Sequence, residues 1–203
     1  MNYNTHSLES SSVLWDKQRA ALRHLRSSGS LPPEHSSHDH LNEQVPVPIP
    51  DSVTSEWRKK IEELMKENET VFVICDGFLM LYDEESVREF DVRIFVREEY
   101  AVLKQRREDR HGYHTAVQSD PEGSLWQDPP GYWDNIVWPA YISAHRAIFE
   151  GGDVEDGAPN DAIEGLVVLE ASQLGMEEMV KRTCETVYAR LKSEKQATDW
   201  TNP

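Results

Sequence analysis

The sequence predicts an α/β fold, a parallel sheet flanked by helices, and three observations predict it. The runs VFVIC (71–75), VRIFV (92–96) and LVVLE (166–170) are short, β-branched and apolar without alternation, as strands covered on both faces are. Segments with helical spacing separate them. At 203 residues the chain is long enough for one domain with a sizeable core, since a domain near this size buries roughly 70% of its unfolded surface. The expected organisation is a disordered arm at 1–13, a single α/β domain at 14–194 and a tail at 195–203.

The elements follow in order. Residues 1–13 are polar and serine-rich, without periodicity. Leu14, Gln18, Ala21, Leu22 and Leu25 then fall at helical spacing, and Gly29 stops that helix. Residues 28–52 hold five prolines among Ser, His and acids, which excludes a helix or a central strand and makes a loop. Trp57, Ile61, Leu64 and Met65 mark the buried stripe of a second helix ending near Asn68. The three strand runs come next, and 176–191, with Val180, Cys184 and Val187 at helical spacing, closes the fold as an amphipathic helix.

Charge and cysteine content exclude several classes of function. With 37 acidic and 21 basic residues the net charge is −16, which argues against nucleic acid or an anionic membrane as partner, because either needs a basic footprint. Cys75 and Cys184 stand alone inside apolar stretches, so neither a disulfide framework nor a zinc cluster is expected. No run approaches the roughly 18 apolar residues of a membrane span, and the N-terminus lacks the order of a secretory signal. The expected location is the cytoplasm or nucleus.

Four places could hold chemistry. His35, His38, Asp39 and His40 lie close enough to suggest a metal site, but the proline-rich loop gives them no rigid support, and a polar loop tip is the simpler reading. Asp76 with Gly77 follows a strand run directly; a carboxylate there can hold Mg²⁺ or accept a proton from a hydroxyl, or can simply cap a helix or turn. LKQRREDR (103–110) is the densest basic cluster, with Arg106 and Arg110 on one helical stripe and Arg107 a quarter-turn round. Arginine forks suit phosphate oxygens, although Glu99, Glu108 and Asp109 could offset their repulsion instead. WQDPPGYWDNIVWPAY (126–141) is a stiff aromatic loop leading into a helix that Pro139 can open; its rings can stack on a base or pyridine ring, or can roof the core.

Taken in order, these segments resemble the nicotinamide riboside kinases, a branch of the P-loop kinases related to uridine kinase. The resemblance runs from about Val71 to Leu191 and rests on DGFLML after a strand, RIFV, KQRREDRHGY and DPPGYWDNIVWPAY. The stretch between the arginine cluster and the aromatic loop is longer than in compact members, as in a fungal-type one. The resemblance implies ATP-dependent transfer of the γ-phosphate to the ribose 5′-hydroxyl of nicotinamide riboside, giving nicotinamide mononucleotide for NAD supply. It implies ATP and Mg²⁺ as cofactors. It places Asp76 near the Mg²⁺ and substrate, makes Arg106 and Arg110 lid arginines that contact phosphates, and puts Arg107 and Tyr113 near the riboside. The sequence has one extra residue before Tyr113 relative to the family.

One family feature has no counterpart. A phosphate loop needs G-x-x-x-x-G-K-[ST], and no Gly-Lys dipeptide occurs; the first glycine is Gly29. The resemblance therefore predicts an incomplete P-loop kinase-like sheet whose central phosphate-loop strand, lying between VFVIC and RIFV, is absent. The two strands would then face each other with unpaired inner edges, at about 1–3 kcal/mol for each unsatisfied buried amide. The chain is expected to be inactive as it stands, as a kinase whose sequence starts late. The alternative is a catalytically dead relative that serves as a binding or regulatory module.

Overall fold

Leu22 turns inward on the first helix, α1 (Trp15–Ser28), and Gly29 ends it in the left-handed region at φ 65°, its N–H donating to the Leu25 carbonyl at 2.8 Å. The structure, a computed structural model, describes residues 14–35, 46–66, 70–109, 113–117 and 120–201, with the backbone alone over 113–117, 120–126 and 194–201. The His35, His38, Asp39 and His40 cluster lies largely outside them. No group of three or more His, Cys, Asp or Glu able to hold a metal occurs among the described residues, and no described helix is long and apolar enough to cross a membrane.

Helix α1 is fixed by charge rather than by an apolar stripe. Arg19 donates to both carboxylate oxygens of Asp83 at 3.0 and 2.6 Å, Arg26 does the same to Asp91, and Trp15 stacks on Tyr82 with centroids 5.5 Å apart. Asp83 caps the single-turn helix α3 (Glu84–Val87) by accepting from the Ser86 N–H. Helix α2 (Asp51–Met65) buries Val53 and Trp57, and Trp57 meets Tyr188 of the final helix edge-on at 6.2 Å. That last helix, α6 (Met176–Thr201), runs on into the segment expected as a tail, as far as Thr201.

Strands β1 (Arg93–Arg97) and β4 (Leu166–Glu170) pair in parallel, with Phe95 opposite Val168 and Arg97 opposite Glu170. The molecule is thus α/β, a two-stranded parallel sheet flanked by helices. Alternation sends Phe95, Leu166 and Val168 to one face, where they pack on Val87, Ile148, Phe149, Val154 and Ile163. Trp138, Tyr141 and Ile142 of α5 (Trp138–His145) roof the same cluster. On the other face Leu169 is 2% exposed and Val96 is 60% exposed, so the sheet is covered over β4 and open over β1.

The strand expected at 71–75 does not form. Residues 71–77 run outside any helix or strand, and Val71, Phe72, Val73 and Ile74 are all exposed, Ile74 at 93%. The physical reason is the lack of a partner: a strand's N–H and C=O groups need a neighbour to bond, and β1 has only β4 beside it. The two runs do not close up on each other, and no described segment stands between them. An apolar run therefore marks strand potential, and pairing decides whether a strand exists.

The stretch after the basic cluster contains a hairpin that the sequence reading did not foresee. Strands β2 (Tyr113–Val117) and β3 (Asp120–Trp126) pair antiparallel, with Tyr113 opposite Trp126 and a register shift between Thr115 and Val117.

Candidate functional site

The basic cluster forms helix α4 (Tyr100–Glu108), which starts three residues after β1 ends. That places it at the carboxyl end of a parallel strand, where open α/β sheets hold their ligands. The aromatic loop lies against it. Gly131 takes a positive φ of 74°, where a Cβ would come within 2.8 Å of the Asn135 amide nitrogen, and Asn135 donates back to the Gly131 carbonyl. The chain then winds through a wide turn, Trp133–Val137, into α5, with Pro139 in its first turn as the sequence suggested.

Each described cation of α4 has a carboxylate. Lys104 donates to both oxygens of Asp134 at 2.7 and 3.0 Å, and the Tyr100 hydroxyl donates to Asp134 as well. That sharing raises the pKa of Lys104 and of Tyr100, because both hold their protons against the Asp134 carboxylate, and it lowers that of Asp134. Arg107 is bidentate on Asp128, with Nη2 to Oδ1 at 3.2 Å, and lies over the Tyr132 ring at 5.9 Å. Arg106 points the other way: its Nη2 donates to Glu98 Oε2 at 2.9 Å. Helix and aromatic loop are thus joined by two ion pairs and by Tyr100, which meets the Trp138 ring edge-on at 4.8 Å.

The expected offset of the arginine charges by Glu99, Glu108 and Asp109 is only partly what occurs. Glu108 approaches Lys104 at 3.9 Å and Asp109 accepts from Gln105, whereas the arginines use Glu98 and Asp128. The signal for Asp128 and Asp134 was present in the sequence, as the two acids that bracket Pro-Pro-Gly-Tyr-Trp. Glu98 gave none.

Asp76 lies exposed in the irregular stretch before Gly77, with no hydrogen bond or ion pair to a described residue and none to α4. Its neighbourhood is fixed two residues on. His145 of α5, 3% exposed, sits between two carbonyls, Phe78 at 3.0 Å from Nε2 and Tyr141 at 2.9 Å from Nδ1, and Phe95 and Tyr141 pack on its ring. Burial lowers its pKa, so the ring is favoured neutral and donates to one of the two carbonyls. Arg110 lies outside the described residues; Tyr113 opens β2, and its side chain lies outside them too. The structure therefore brings Arg106 and Arg107 to one helix, and it does not join Asp76 to them.

The carboxyl end of the sheet carries one more pair. Arg97, 6% exposed, donates to Glu170 and to the Gly157 carbonyl at 2.7 Å, and stacks over Phe149. The Glu170 carboxylate raises the Arg97 pKa, so the cation is permanent. Nearby, burial pushes the Tyr141 hydroxyl up to about 12.

As for cofactors, Mg²⁺ needs only one or two protein carboxylates when substrate phosphates fill its remaining positions. Asp76, exposed and unpaired among the described residues, fits such a single ligand.

Comparison with known proteins follows the same segments. The chain is 36% identical over 139 residues to the nicotinamide riboside kinase of Schizosaccharomyces pombe, covering 66% of this chain and 54% of that protein. It is 31% identical over 135 residues to that of Eremothecium gossypii, covering 66% and 52%, and 38% identical over 103 residues to that of Saccharomyces cerevisiae, covering 51% and 40%. The chain therefore spans about half the length of the curated relatives it matches. No family model and no solved structure matches it. Across the segment it shares with these three proteins, the chain is similar to nicotinamide riboside kinases.

Proposed function

We propose that these 203 residues carry the acceptor and lid half of a nicotinamide riboside kinase, which moves the ATP γ-phosphate to the ribose 5′-hydroxyl of nicotinamide riboside. The observation that carries this reading is the junction of α4 with the aromatic loop through Lys104–Asp134 and Arg107–Asp128. Those are two of the four segments on which the resemblance rests, and they meet at the carboxyl end of β1. In this reading Arg106 and Arg110 serve the phosphates, Arg107 and Tyr113 the riboside, and Asp76 the Mg²⁺, which neutralises phosphate charge when bound. The chain's own part is positioning: a helix fixed at Asp128 and Asp134 presents its cations in a set direction.

The open edge of β1 and the exposed run 71–74 belong to the same reading. Both fit edges of a larger kinase sheet whose central strand carries a phosphate loop lying outside these residues. Without that loop the phosphates keep only the contacts of the lid, which bind but do not align them for transfer, and residues 1–203 turn over no substrate. The partners are a small riboside and ATP, in the cytoplasm or nucleus, with nucleic acid disfavoured by the charge of −16.

A second reading is a catalytically dead relative that binds without turning over. It is favoured by one observation, that all described cations of α4 are already neutralised by Asp134, Glu98 and Asp128.

The test is nicotinamide mononucleotide production by pure residues 1–203 and by the same chain joined to a segment that carries a phosphate loop, taken from the part of the S. pombe relative outside the match. The expected result is no product from the first and turnover from the second, with Arg106→Ala in the extended chain slower by at least about tenfold, or about 1.4 kcal/mol. Product from residues 1–203 alone would overturn the half-site reading. An unchanged rate in Arg106→Ala would overturn the lid assignment, and an inactive extended chain would favour the binding module.

A further inference from the structure

The cations of α4 differ in how they are held. The side chain of Lys104 is 30% exposed and that of Arg107 23%, both tied to the aromatic loop, whereas that of Arg106 is 63% exposed and tied to Glu98. Glu98 is itself unusual. It is the residue after β1, its side chain is 5% exposed, its Oε2 accepts from Arg106 Nη2 at 2.9 Å and its Oε1 accepts from the Glu99 N–H at 3.1 Å.

A carboxylate this buried is strongly unfavourable without its cation, so Arg106 does not swing away from Glu98 to meet an anion. It does not need to. A guanidinium has five N–H donors, Glu98 takes one of them, and no other described residue accepts from Arg106. The result is a cation fixed at one corner by the end of the sheet and open to water on the rest. An exposed arginine free of such a tether would sample many rotamers and lose that freedom on binding.

We propose that Glu98 is a positioning residue, a buried tether that holds Arg106 so that its free N–H groups receive a phosphate oxygen. The proposal rests on the reading of α4 as a phosphate-contacting lid and adds to it a residue from the strand that the helix follows. It also makes an unusual sign prediction. Removing a negative charge ordinarily strengthens anion binding, but here removing the charge of Glu98 weakens it, because orientation is lost.

Inorganic tripolyphosphate titrated calorimetrically into residues 1–203 at low salt tests this, with wild type, Glu98→Gln, Arg106→Ala and the double variant. Tripolyphosphate is expected to bind the wild type, Arg106→Ala to weaken it by about tenfold and Glu98→Gln by about three- to tenfold, with the double variant no weaker than Arg106→Ala. A Glu98→Gln affinity equal to or above wild type overturns the tether while leaving the lid reading in place. An Arg106→Ala affinity equal to wild type, or no binding by wild type, overturns the lid reading and the tether with it. Melting curves show whether Glu98→Gln folds; if it does not, Glu98→Asp, which keeps the charge but shortens the arm, replaces it with the same expected direction. The ¹⁵Nε resonance of Arg106 supplies a readout that a purely stabilising role would leave unmoved: sharp in wild type, broadened in Glu98→Gln, and sharpened again by tripolyphosphate. A resonance equally sharp in both proteins overturns the proposal.

Discussion

Asp83 shows how much one side chain can hold. It accepts from Arg19 at two oxygens, from the Ser86 N–H at 2.9 Å and from the Ser86 hydroxyl at 2.6 Å, so a single carboxylate caps α3 and docks α1. The Arg19 guanidinium keeps its carboxyl well below the usual carboxylate range. Asp83→Ala is expected to cost about 1–3 kcal/mol at neutral pH, read from urea unfolding. The sign of the pH dependence follows from the depressed value: the contribution is complete above the ordinary carboxylate pKa of about 4 and is lost as the pH falls toward the lower folded value. The difference between wild type and variant should therefore shrink between about pH 5 and about pH 2, and a constant difference would contradict the assignment. None of this was legible in the sequence, since Arg19 and Asp83 stand 64 residues apart and no local pattern links them. Arg106 and Arg107 were legible as a cluster, because three basic residues on one helix need no partner to be seen, but their carboxylates were not.

Among elements, the three apolar runs looked alike and behaved differently. Runs 92–96 and 166–170 became β1 and β4 because each offers the other a backbone ladder, whereas no described segment pairs with 71–74, which lies exposed. Two substitutions separate these cases. Leu169→Ala, at a position 2% exposed, should cost about 2–5 kcal/mol, and Ile74→Ser, at a position 93% exposed, should change stability by no more than about 0.5 kcal/mol in residues 1–203. Urea denaturation of both decides it, and a large cost at Ile74 would mean that the run is buried after all. The helices were read more reliably. The stop at Gly29 depends on backbone chemistry within a few residues, which a sequence states directly, whereas the helical run that holds Pro139 begins earlier, at Trp133.

For the whole molecule, a charge of −16 accompanies an exposed apolar stretch, Val71 to Ile74 with Phe78 at 78% exposure. Like-charge repulsion opposes association, and salt screens it over about 10 Å at 0.1 M. Light scattering is therefore expected to rise with salt, and Ile74→Lys should suppress the rise; equal scattering by both proteins would show that this stretch is not the adhesive surface. The sequence by itself determined the α/β class, the positions of five of the helices and two of the strands, and the kinship with nicotinamide riboside kinases, because periodicity, caps and motif order are local properties of a chain. The tertiary structure alone decided that 71–75 stays unpaired, that Glu98 rather than Glu99 holds Arg106, and that His145 bridges the turn after Asp76 to α5. Those outcomes depend on which distant groups lie within hydrogen-bonding reach, and a bond between residues far apart in the chain leaves no periodic trace in either segment.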